Sequence, residues 1–544
     1  MINKLSVSEI RVKNAEYKQS FKGPGTALLT GLKGLDGSPA LGACAVDLGS
    51  MVIPRTAIEF KNRGQQAGFE AAIREGTSCL IHACVGLIGL GAASLLSGKF
   101  NDKYGVKAQN IFANADTIDN MSKMWKGSEG QKQFFETFTD SIKGLNGSNW
   151  RTLSKASKEE VVDGLVEIAK KTEELSKVKG VDKSILSREI KDLKSVVLSK
   201  ITKDTGAQSS FKLAAQTGTK EISASLSELV DNAVVLSNSF KTKTAEKLPD
   251  FVRELKRNKV ASTALGMGIC ALMCMSVQPV NRYLTKKRTG QDGFVGVEGK
   301  GGDKSSGFTA AKTAVGVAFP IFSMKTIGKF SDLLSNIQFN SMVPTINQFK
   351  FLYGLTIGSR FLSARDGNEL RESVIKDTLG YTNWLILGGV VSKLVARGLG
   401  GKELINNPVV NDGSKKGLKY ALKWLTQASV KSYDEVLLPK AKEISRNGKM
   451  LKFSELFKKA DANTKSKVIK VATSQVAGYL YSGIVLGVGI AKLNIFITKQ
   501  LEAKKKAKKD MNEQVSTVQT NVANVSKTSG LMKPQSNGVF KGLN

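Results

Sequence analysis

The sequence has little of the chemistry on which enzymes and metal clusters commonly depend. It contains one histidine, His82, and five cysteines among 544 residues. A single histidine excludes every mechanism that needs a histidine pair, and so few cysteines exclude a small scaffold held by disulfides. Neither a G-x-S-x-G nucleophile elbow nor an H-E-x-x-H zinc motif is present. We therefore expect no enzyme activity and no bound cofactor.

A glycine-rich loop at 293–307 looks at first like a phosphate-binding loop. A Walker A loop requires Ser or Thr after its Gly-Lys pair, whereas Gly301 follows Gly299-Lys300 here. No strand-like segment precedes the loop. We interpret it as a flexible part of a glycine-rich basic loop, 282–307.

Acidic and aromatic residues are also scarce. The chain has 47 acidic residues against 81 basic ones, which gives a formal net charge of +34, and only 7% of its residues are aromatic. The basic excess predicts attraction to anionic surfaces. Most of that excess is lysine, a point charge that reads base edges poorly, and aromatic stacking platforms are few. We therefore do not expect nucleic acid as a partner.

The densest basic run directly follows an apolar segment. It consists of five lysines: Lys504, Lys505, Lys506, Lys508 and Lys509. A polybasic run in this position is typical of contact with anionic lipid headgroups. The alternative is a solvated, lysine-rich helix end.

Long apolar segments are what the sequence has in abundance. The segments 76–98 and 260–281 contain no acidic residue, lysine or arginine, and each reaches the roughly 20 residues needed to cross a bilayer. A third segment, 471–491, has a similar length but includes Thr, Ser and Gln. We predict a transmembrane helix at each of the three. Residues 1–30 contain no continuous apolar run, so we expect no secretory signal peptide.

Weaker apolar segments accompany these spans. The region 308–396 holds three of them, each interrupted by a lysine, which are either further spans or buried helices. The N-terminal region 1–75 holds a shorter apolar stretch at 39–54, which contains Asp47 and is bounded by prolines. We predict that this stretch is interfacial or buried.

Polar regions separate the predicted spans. Apolar residues at helical spacing, together with a capping-box pair, predict a helical bundle domain over 99–259. A smaller, basic helical insertion follows at 397–470. The region 492–544 is a polybasic tail that we expect to be mostly disordered, because Ser, Thr, Asn and Gln dominate from Met511 onward.

Basic residues in the short loops predict the orientation. If six segments cross the membrane, loops 282–304 and 360–377 lie on one side and loop 325–341 lies on the other. Lysine and arginine are concentrated in the first two loops, which the positive-inside rule assigns to the cytoplasm. Both termini are then cytoplasmic. The lysine-rich composition and the missing signal peptide favour a bacterial inner membrane.

Small residues recur at every fourth position along several of these segments. The stripes are Ser262, Gly266, Cys270 and Cys274; Gly483, Gly487 and Ala491; and Gly354 and Gly358. Such stripes let helices approach closely in lipid, so they predict a multi-helix bundle or a homo-oligomer. The alternative is that glycine and alanine are simply common in apolar segments.

Soft metal ligands occur in the first two predicted spans. Cys79 and His82 are three residues apart and Cys270 and Cys274 are four apart, so each pair lies on one helix face. Thiolate and imidazole are ligands of Cu(I) and of Zn²⁺, which makes these four residues a candidate metal site. The alternative is that the cysteines are ordinary packing residues.

A charged pattern occurs twice in the sequence. Arg63 and Glu70 have the same spacing as Arg365 and Glu372, and a triplet of one aliphatic, one basic and one acidic residue follows each pair at the same offset. The pattern indicates an internal duplication, which is frequent in membrane bundles. The alternative is that charged residues commonly flank apolar segments.

These observations together predict an all-α, multi-span helical membrane protein with an inserted helical bundle domain and a disordered C-terminal tail. Because no site for chemistry is visible, its expected role is structural or interaction-based, with the lipid bilayer as its partner. Two alternatives stay open. One is a secreted, membrane-inserting helical translocator or pore-former, and the other is a soft-metal or small-solute transporter.

Overall fold

Helices dominate the computed structural model of the chain, which is 82% helical. The mostly helical class is therefore confirmed. The structure describes residues 24–529 apart from short gaps at 38, 145–152, 218–219, 291–294, 296–302, 341–342, 388, 408–416 and 446–447. Four of the described helices are long and apolar enough to cross a membrane, and the number rises to six if each of two bent helix pairs is one span.

The first apolar region contains five helices: α1 (Pro24–Gly37), α2 (Pro39–Val46), α3 (Ile53–Arg63), α4 (Gln65–Ala83) and α5 (Val85–Leu96). A π-helical turn, Asp47–Val52, joins α2 to α3 in one continuous helix from Ala40 to Arg63. The stretch that we expected to end at Pro54 is thus part of a full-length helix. Pro54 lies inside this continuous helix, two residues after the π-helical turn, where the regular backbone hydrogen bonding is already interrupted. Helices α4 and α5 meet at Cys84 with a bend of 52°.

The polar region after α5 forms a helical domain with a small sheet. Its elements are α6 (Gly98–Tyr104), a 3₁₀ turn (Ala108–Asn110), α7 (Ala115–Lys126), α8 (Gln131–Ser141), β1 (Ile142–Gly144), α9 (Lys155–Leu175), α10 (Val181–Thr205), β2 (Lys212–Thr217), β3 (Lys220–Ser225) and α11 (Leu226–Lys241). The strands pair antiparallel in the order β1-β2-β3. Helical spacing did not predict this sheet, because its short strands consist largely of small and polar residues.

A helix of 42 residues, α12 (Leu248–Thr289), connects the inserted domain to the apolar bundle. Its first turns complete the domain core through Phe251 and Leu255, which are fully buried. Its later turns carry the predicted span 260–281. Domain and span therefore share one helix, and the predicted domain boundary at residue 259 falls inside it.

The second apolar region again contains five helices: α13 (Ser306–Lys325), α14 (Leu333–Asn336), α15 (Ile346–Leu362), α16 (Gly367–Tyr381) and α17 (Val390–Gly400). A 3₁₀ turn, Phe330–Asp332, precedes α14, and a π-helical turn, Thr382–Ile386, extends α16. The chain then bends by 42° into α17. Gly389 lies at this bend with φ +67°, a conformation that favours glycine.

A second insertion and two joined helices complete the chain. These elements are a 3₁₀ turn (Gly401–Leu404), β4 (Ile405–Asn406), α18 (Leu418–Gln427), β5 (Ser429–Val430), α19 (Tyr433–Ile444), α20 (Phe453–Lys459), α21 (Ala462–Tyr481), a π-helical turn (Ser482–Gly489) and α22 (Ile490–Ser529). Where we expected disorder from Met511, α22 continues to Ser529, and no glycine or proline interrupts it. The rest of the predicted tail, 530–544, lies outside the described residues.

The outer surface of the bundle carries large aliphatic side chains. Exposed fractions reach 64% at Leu80, 77% at Leu95, 70% at Leu272 and 65% at Ile484. Single exposed aliphatic residues are common in soluble proteins, but many on neighbouring helices form a surface that water solvates poorly. The long apolar helices and this surface are compatible with a membrane location.

Candidate functional site

The two copies of the charged pattern lie against each other and exchange ion pairs. Arg63 Nη2 lies 2.5 Å from Glu372 Oε1, and Arg365 Nη2 lies 2.6 Å from Glu70 Oε1. Each arginine also donates from Nη1 to the second carboxylate oxygen, at 3.0 Å and 3.3 Å respectively. Each copy thus supplies the arginine for one pair and the glutamate for the other. Reciprocal contacts of this kind are characteristic of two units related by a two-fold axis.

The long helices α12 and α22 repeat the same relation. Asn281 of α12 donates to the backbone carbonyl of Glu70 at 3.1 Å, and Asn494 of α22 donates to the backbone carbonyl of Glu372 at 3.0 Å. Thr498 of α22 also donates to the Glu372 carboxylate. Each of the paired glutamates is therefore held by a helix of its own half as well as by an arginine of the other half.

A second group of charges lies beside the reciprocal pairs. Glu75 accepts from Arg360 at 2.7 Å and contacts Arg74 and Lys376 at 3.3 Å each. Arg360 also lies 3.2 Å from Asp377. The side chains of Arg360, Glu75 and Asp377 are at most 6% exposed. Buried charges are costly unless they are paired, and unpairing any one of these would be strongly unfavourable. We refer to these residues and the two reciprocal pairs as the ion-pair network.

His82 belongs to an aromatic layer next to this network. Its ring stacks on Tyr353 with centroids 4.1 Å apart, and its Nδ1 lies 2.5 Å from the backbone carbonyl oxygen of Ser78. The Tyr353 hydroxyl in turn donates to the buried carboxylate of Asp47. The imidazole of His82 is thus a packing group between helices.

The structure does not assemble the four candidate metal ligands into a site. Cys270 and Cys274 are fully buried in an apolar cluster that includes Ile81, whereas His82 faces Tyr353. Within the described part of the chain, no three His, Cys, Asp or Glu side chains are placed to hold a metal ion. The two cysteines of α12 instead serve as small packing residues on the predicted stripe.

The small-residue stripes make close helix contacts within the chain. A Cβ atom on Gly487 would lie 2.1 Å from the backbone oxygen of Ser50, and one on Gly358 would lie 2.7 Å from the backbone oxygen of Gly316. Such distances leave no room for a side chain, so glycine lets these helices touch. Association between copies of the chain stays a prediction.

The predicted headgroup contacts lie on α22, beyond the bundle. Lys504, Lys505, Lys506 and Lys508 are exposed on this helix, and the side chain of Lys509 is outside the described residues. Their exposure leaves them accessible to an anionic surface. Lipid contact stays a prediction.

A cavity of about 420 Å³ lies between α2, α21 and the bend that separates α16 from α17. The lining includes Gly42, Trp384, Ser392, Ser474, Gln475 and Tyr479. Its size is within the usual range for small-molecule sites, which are concave and mostly apolar with a few polar groups. We refer to it as the bend cavity.

The ion-pair network and the bend cavity lie at different levels along the same helices. Ala43 lines the cavity and Arg63 belongs to the network, about 30 Å apart along one helix at roughly 1.5 Å per residue. Ser474 of the cavity and Thr498, which bonds to Glu372 of the network, are about 36 Å apart along α21 and α22. Other members are much closer, since Asp377 of the network and Trp384 of the cavity are seven residues, or about 10 Å, apart along α16 and its π-helical turn.

Sequence reasoning identified the repeated arginine and glutamate but not their pairing. It also missed the second repeated pair, Asn281 with Thr285 and Asn494 with Thr498, which has a spacing of four in each case. Both pairs lie at the ends of predicted spans, so a comparison of the two span ends would have found them. No such signal marks Tyr353, whose role depends on long-range packing.

Comparison with known proteins adds no relative. No family model matches the chain, and neither a curated protein nor a solved structure matches it.

Proposed function

We propose that this protein is an integral membrane carrier for a small solute, built from two related halves. The observation that carries the proposal is the exchange of ion pairs between the halves at one end of the bundle. A solute-sized cavity lies further along the same helices, beside a bent helix. This arrangement corresponds to the small-solute form of the transporter alternative. Its soft-metal form lacks a ligand cluster among the described residues.

The two halves follow one plan. In each, a helix leads to the arginine (α2–α3 or α15), a bent helix pair follows (α4–α5 or α16–α17), an insertion interrupts, and a long helix returns (α12 or α21–α22). The bends, at Cys84 and near Gly389, occupy corresponding positions. Interrupted helices at corresponding places in two repeats are a feature of solute sites in transporters.

Both halves run in the same direction. The helices that lead to Arg63 and Arg365 each end at the network, and the long helices each return to it at Asn281 and Asn494. A two-fold axis along the membrane normal relates units of this kind. Tilting of the halves against each other, about an axis in the membrane plane, would separate the ion pairs and open the network end.

The basic loops supply the orientation that we propose. Arg282, the segment 360–377 and the lysine run of α22 all lie toward the network end, which the positive-inside rule assigns to the cytoplasm. If α15 crosses the membrane in addition to the six candidate spans, the seven crossings put α1 on the opposite side from α22. This arrangement changes the earlier expectation that both termini are cytoplasmic. A bacterial inner membrane fits the composition.

Cysteine labelling from each side of the membrane tests the proposal. The five native cysteines are replaced, Ser392→Cys is introduced in the bend cavity, and the chain is reconstituted in oriented vesicles. We expect an impermeant maleimide to react with this cysteine from the side of the membrane that carries the two insertions, which we call the insertion side. Reaction from the network side should rise at least tenfold when Arg365→Met removes one reciprocal pair.

A matched variant controls for a general loss of stability caused by removing an ion pair. Lys194→Met removes an ion pair to Asp231 in the inserted domain, whose carboxylate is 58% exposed, and should leave both labelling rates unchanged. The carrier proposal would be contradicted if Ser392→Cys were labelled equally from both sides while the network is intact. It would also be contradicted if Arg365→Met did not change the rate of labelling from the network side.

A structural role is the second candidate. Its supporting observation is that the space beside the network, next to Arg55, Glu59 and Asn494, measures only about 20 Å³. A network so tightly closed could equally hold two halves together permanently. Network-side labelling that stays at background in every folded variant would favour this structural role over transport.

A further inference from the structure

We infer that the bend cavity binds an uncharged ring compound that carries hydroxyl or amide groups. This inference rests on the proposed function, because it names the solute class of the same carrier. It goes further in predicting which molecules are excluded.

The charge of the cavity wall disfavours a solute with a net charge. Asp36 and Lys431 are the one acidic and the one basic side chain among the described lining residues, and their charges oppose each other. Burial raises the pKa of Asp36 to about 6, so near neutral pH its carboxylate is still mostly ionised and offsets the charge of Lys431. A charged solute would enter a low-dielectric space without a net countercharge, which is costly.

Hydroxyl and amide groups supply the polar part of the wall. Gln475 donates to the Tyr479 hydroxyl at 2.9 Å and accepts from Tyr433 at 2.8 Å, so its amide is fixed in orientation. The hydroxyl proton of Tyr479 is not used in the bond from Gln475 and can be donated to a solute. Ser392 and Asn383 add further neutral groups. These groups match hydroxyl and amide functions.

The helix bend adds backbone donors to the same wall. Gly389, Val390, Val391 and Ser392 line the cavity where α17 begins. The first N–H groups of a helix have no partner within that helix, so they can donate to a carbonyl or hydroxyl oxygen. The bend thus supplies donors for an uncharged solute.

An indole ring defines the shape that the cavity accepts. Trp384 lines the cavity and makes edge contacts with Tyr353 at 4.8 Å and Phe349 at 6.4 Å between centroids. These contacts fix the indole plane before a solute arrives. Aromatic side chains favour flat or ring-shaped partners, which they contact over a large apolar area.

Protection from labelling tests the solute class. The Ser392→Cys chain in nanodiscs is labelled with maleimide in the presence of uridine or glucose, and separately with uridine monophosphate or glucose 6-phosphate. We expect at least one of the neutral probes to slow labelling tenfold at saturation, and the phosphorylated probes to have no effect. Tyr479→Phe should weaken the protecting probe about tenfold, as loss of one hydrogen bond predicts.

Tyr420→Phe is the matched control, because its hydroxyl accepts from Asn407 at 3.1 Å away from the cavity. It should leave protection unchanged. Protection by the phosphorylated probes at equal strength, or by none of the four, would overturn the inference. Neither result touches the sidedness of labelling, so the solute class and the carrier mechanism fail separately.

Discussion

Removing Arg365 gives the most direct measurement of the ion-pair network. Its side chain is 1% exposed, and it pairs with Glu70 at 2.6 Å and with Glu369 at 2.9 Å, both of which are 4% exposed. Arg365→Met therefore leaves two buried carboxylates without their main cation. Breaking a buried pair by removing one partner typically costs about 3–5 kcal/mol, and we expect a loss of unfolding free energy in that range.

The assay is equilibrium unfolding in mixed micelles, followed by the loss of helical signal. The double variant Glu70→Gln with Arg365→Met should recover at least about 1 kcal/mol of the loss, because one of the unpaired charges is then gone. Lys194→Met, which breaks a pair to the largely exposed Asp231, should cost less than about 1 kcal/mol. If Arg365→Met costs no more than Lys194→Met, the network is not a buried structural element and the reasoning is refuted.

Three further predictions follow from other parts of the structure. Gly487→Leu should destabilise the bundle by about 1–3 kcal/mol in the same assay, because its Cβ would meet the Ser50 backbone oxygen. Gly98→Leu is the control and should leave stability unchanged, because nothing lies within 4 Å of a Cβ at that position. Burial raises the pKa of Asp36 from 3.8 to about 6, so its contribution to stability falls as the pH rises from about 4 to about 6. In unfolding titrations the unmodified chain should lose stability relative to Asp36→Asn over this range, because the other titrating groups are the same in both chains. Replacing the lysines of 504–508 by Gln should reduce co-sedimentation with anionic vesicles severalfold more than with neutral ones.

The helices and the apolar segments were predictable, because each depends on periodicity within a short stretch of chain. The segments 76–98 and 260–281 were found by their length and their lack of charge. The second lies within α12, whereas the first runs over α4 and α5, which bend by 52° at Cys84. The stretch 39–54 was judged too short to span because it contains Asp47 and is bounded by prolines, whereas the helix continues through Pro54 to Arg63. Boundaries of this type depend on packing that a local pattern does not contain.

The site was only half predictable for a related reason. Equal spacing of Arg63 with Glu70 and of Arg365 with Glu372 indicated duplication, but which arginine pairs with which glutamate depends on how the halves face each other. The candidate metal site shows the converse case, in which a local pattern is present but the long-range arrangement differs. Cys270 and Cys274 have ligand spacing on one helix, yet the neighbouring helices bring an apolar cluster to them.

The network also contains a feature that makes its opening feasible. Each arginine of a reciprocal pair keeps a second carboxylate from its own half: Arg63 lies 3.4 Å from Glu59, and Arg365 lies 2.9 Å from Glu369. When the halves separate, these arginines are therefore still neutralised, and only the carboxylates of Glu70 and Glu372 lose their ion pair and must be hydrated. Opening should cost less than unpairing two fully buried ion pairs.

Glu369→Gln isolates this effect, because it removes the partner within one half and leaves the pair between halves intact. In the closed state Arg365 keeps Glu70, so the folded chain and labelling from the insertion side should be preserved. The open state loses its neutralising carboxylate, and network-side labelling of Ser392→Cys should fall at least fivefold from its basal rate. An unchanged or faster network-side rate would mean that the carboxylate within the half does not stabilise the separated state, and that the two halves do not part at these pairs.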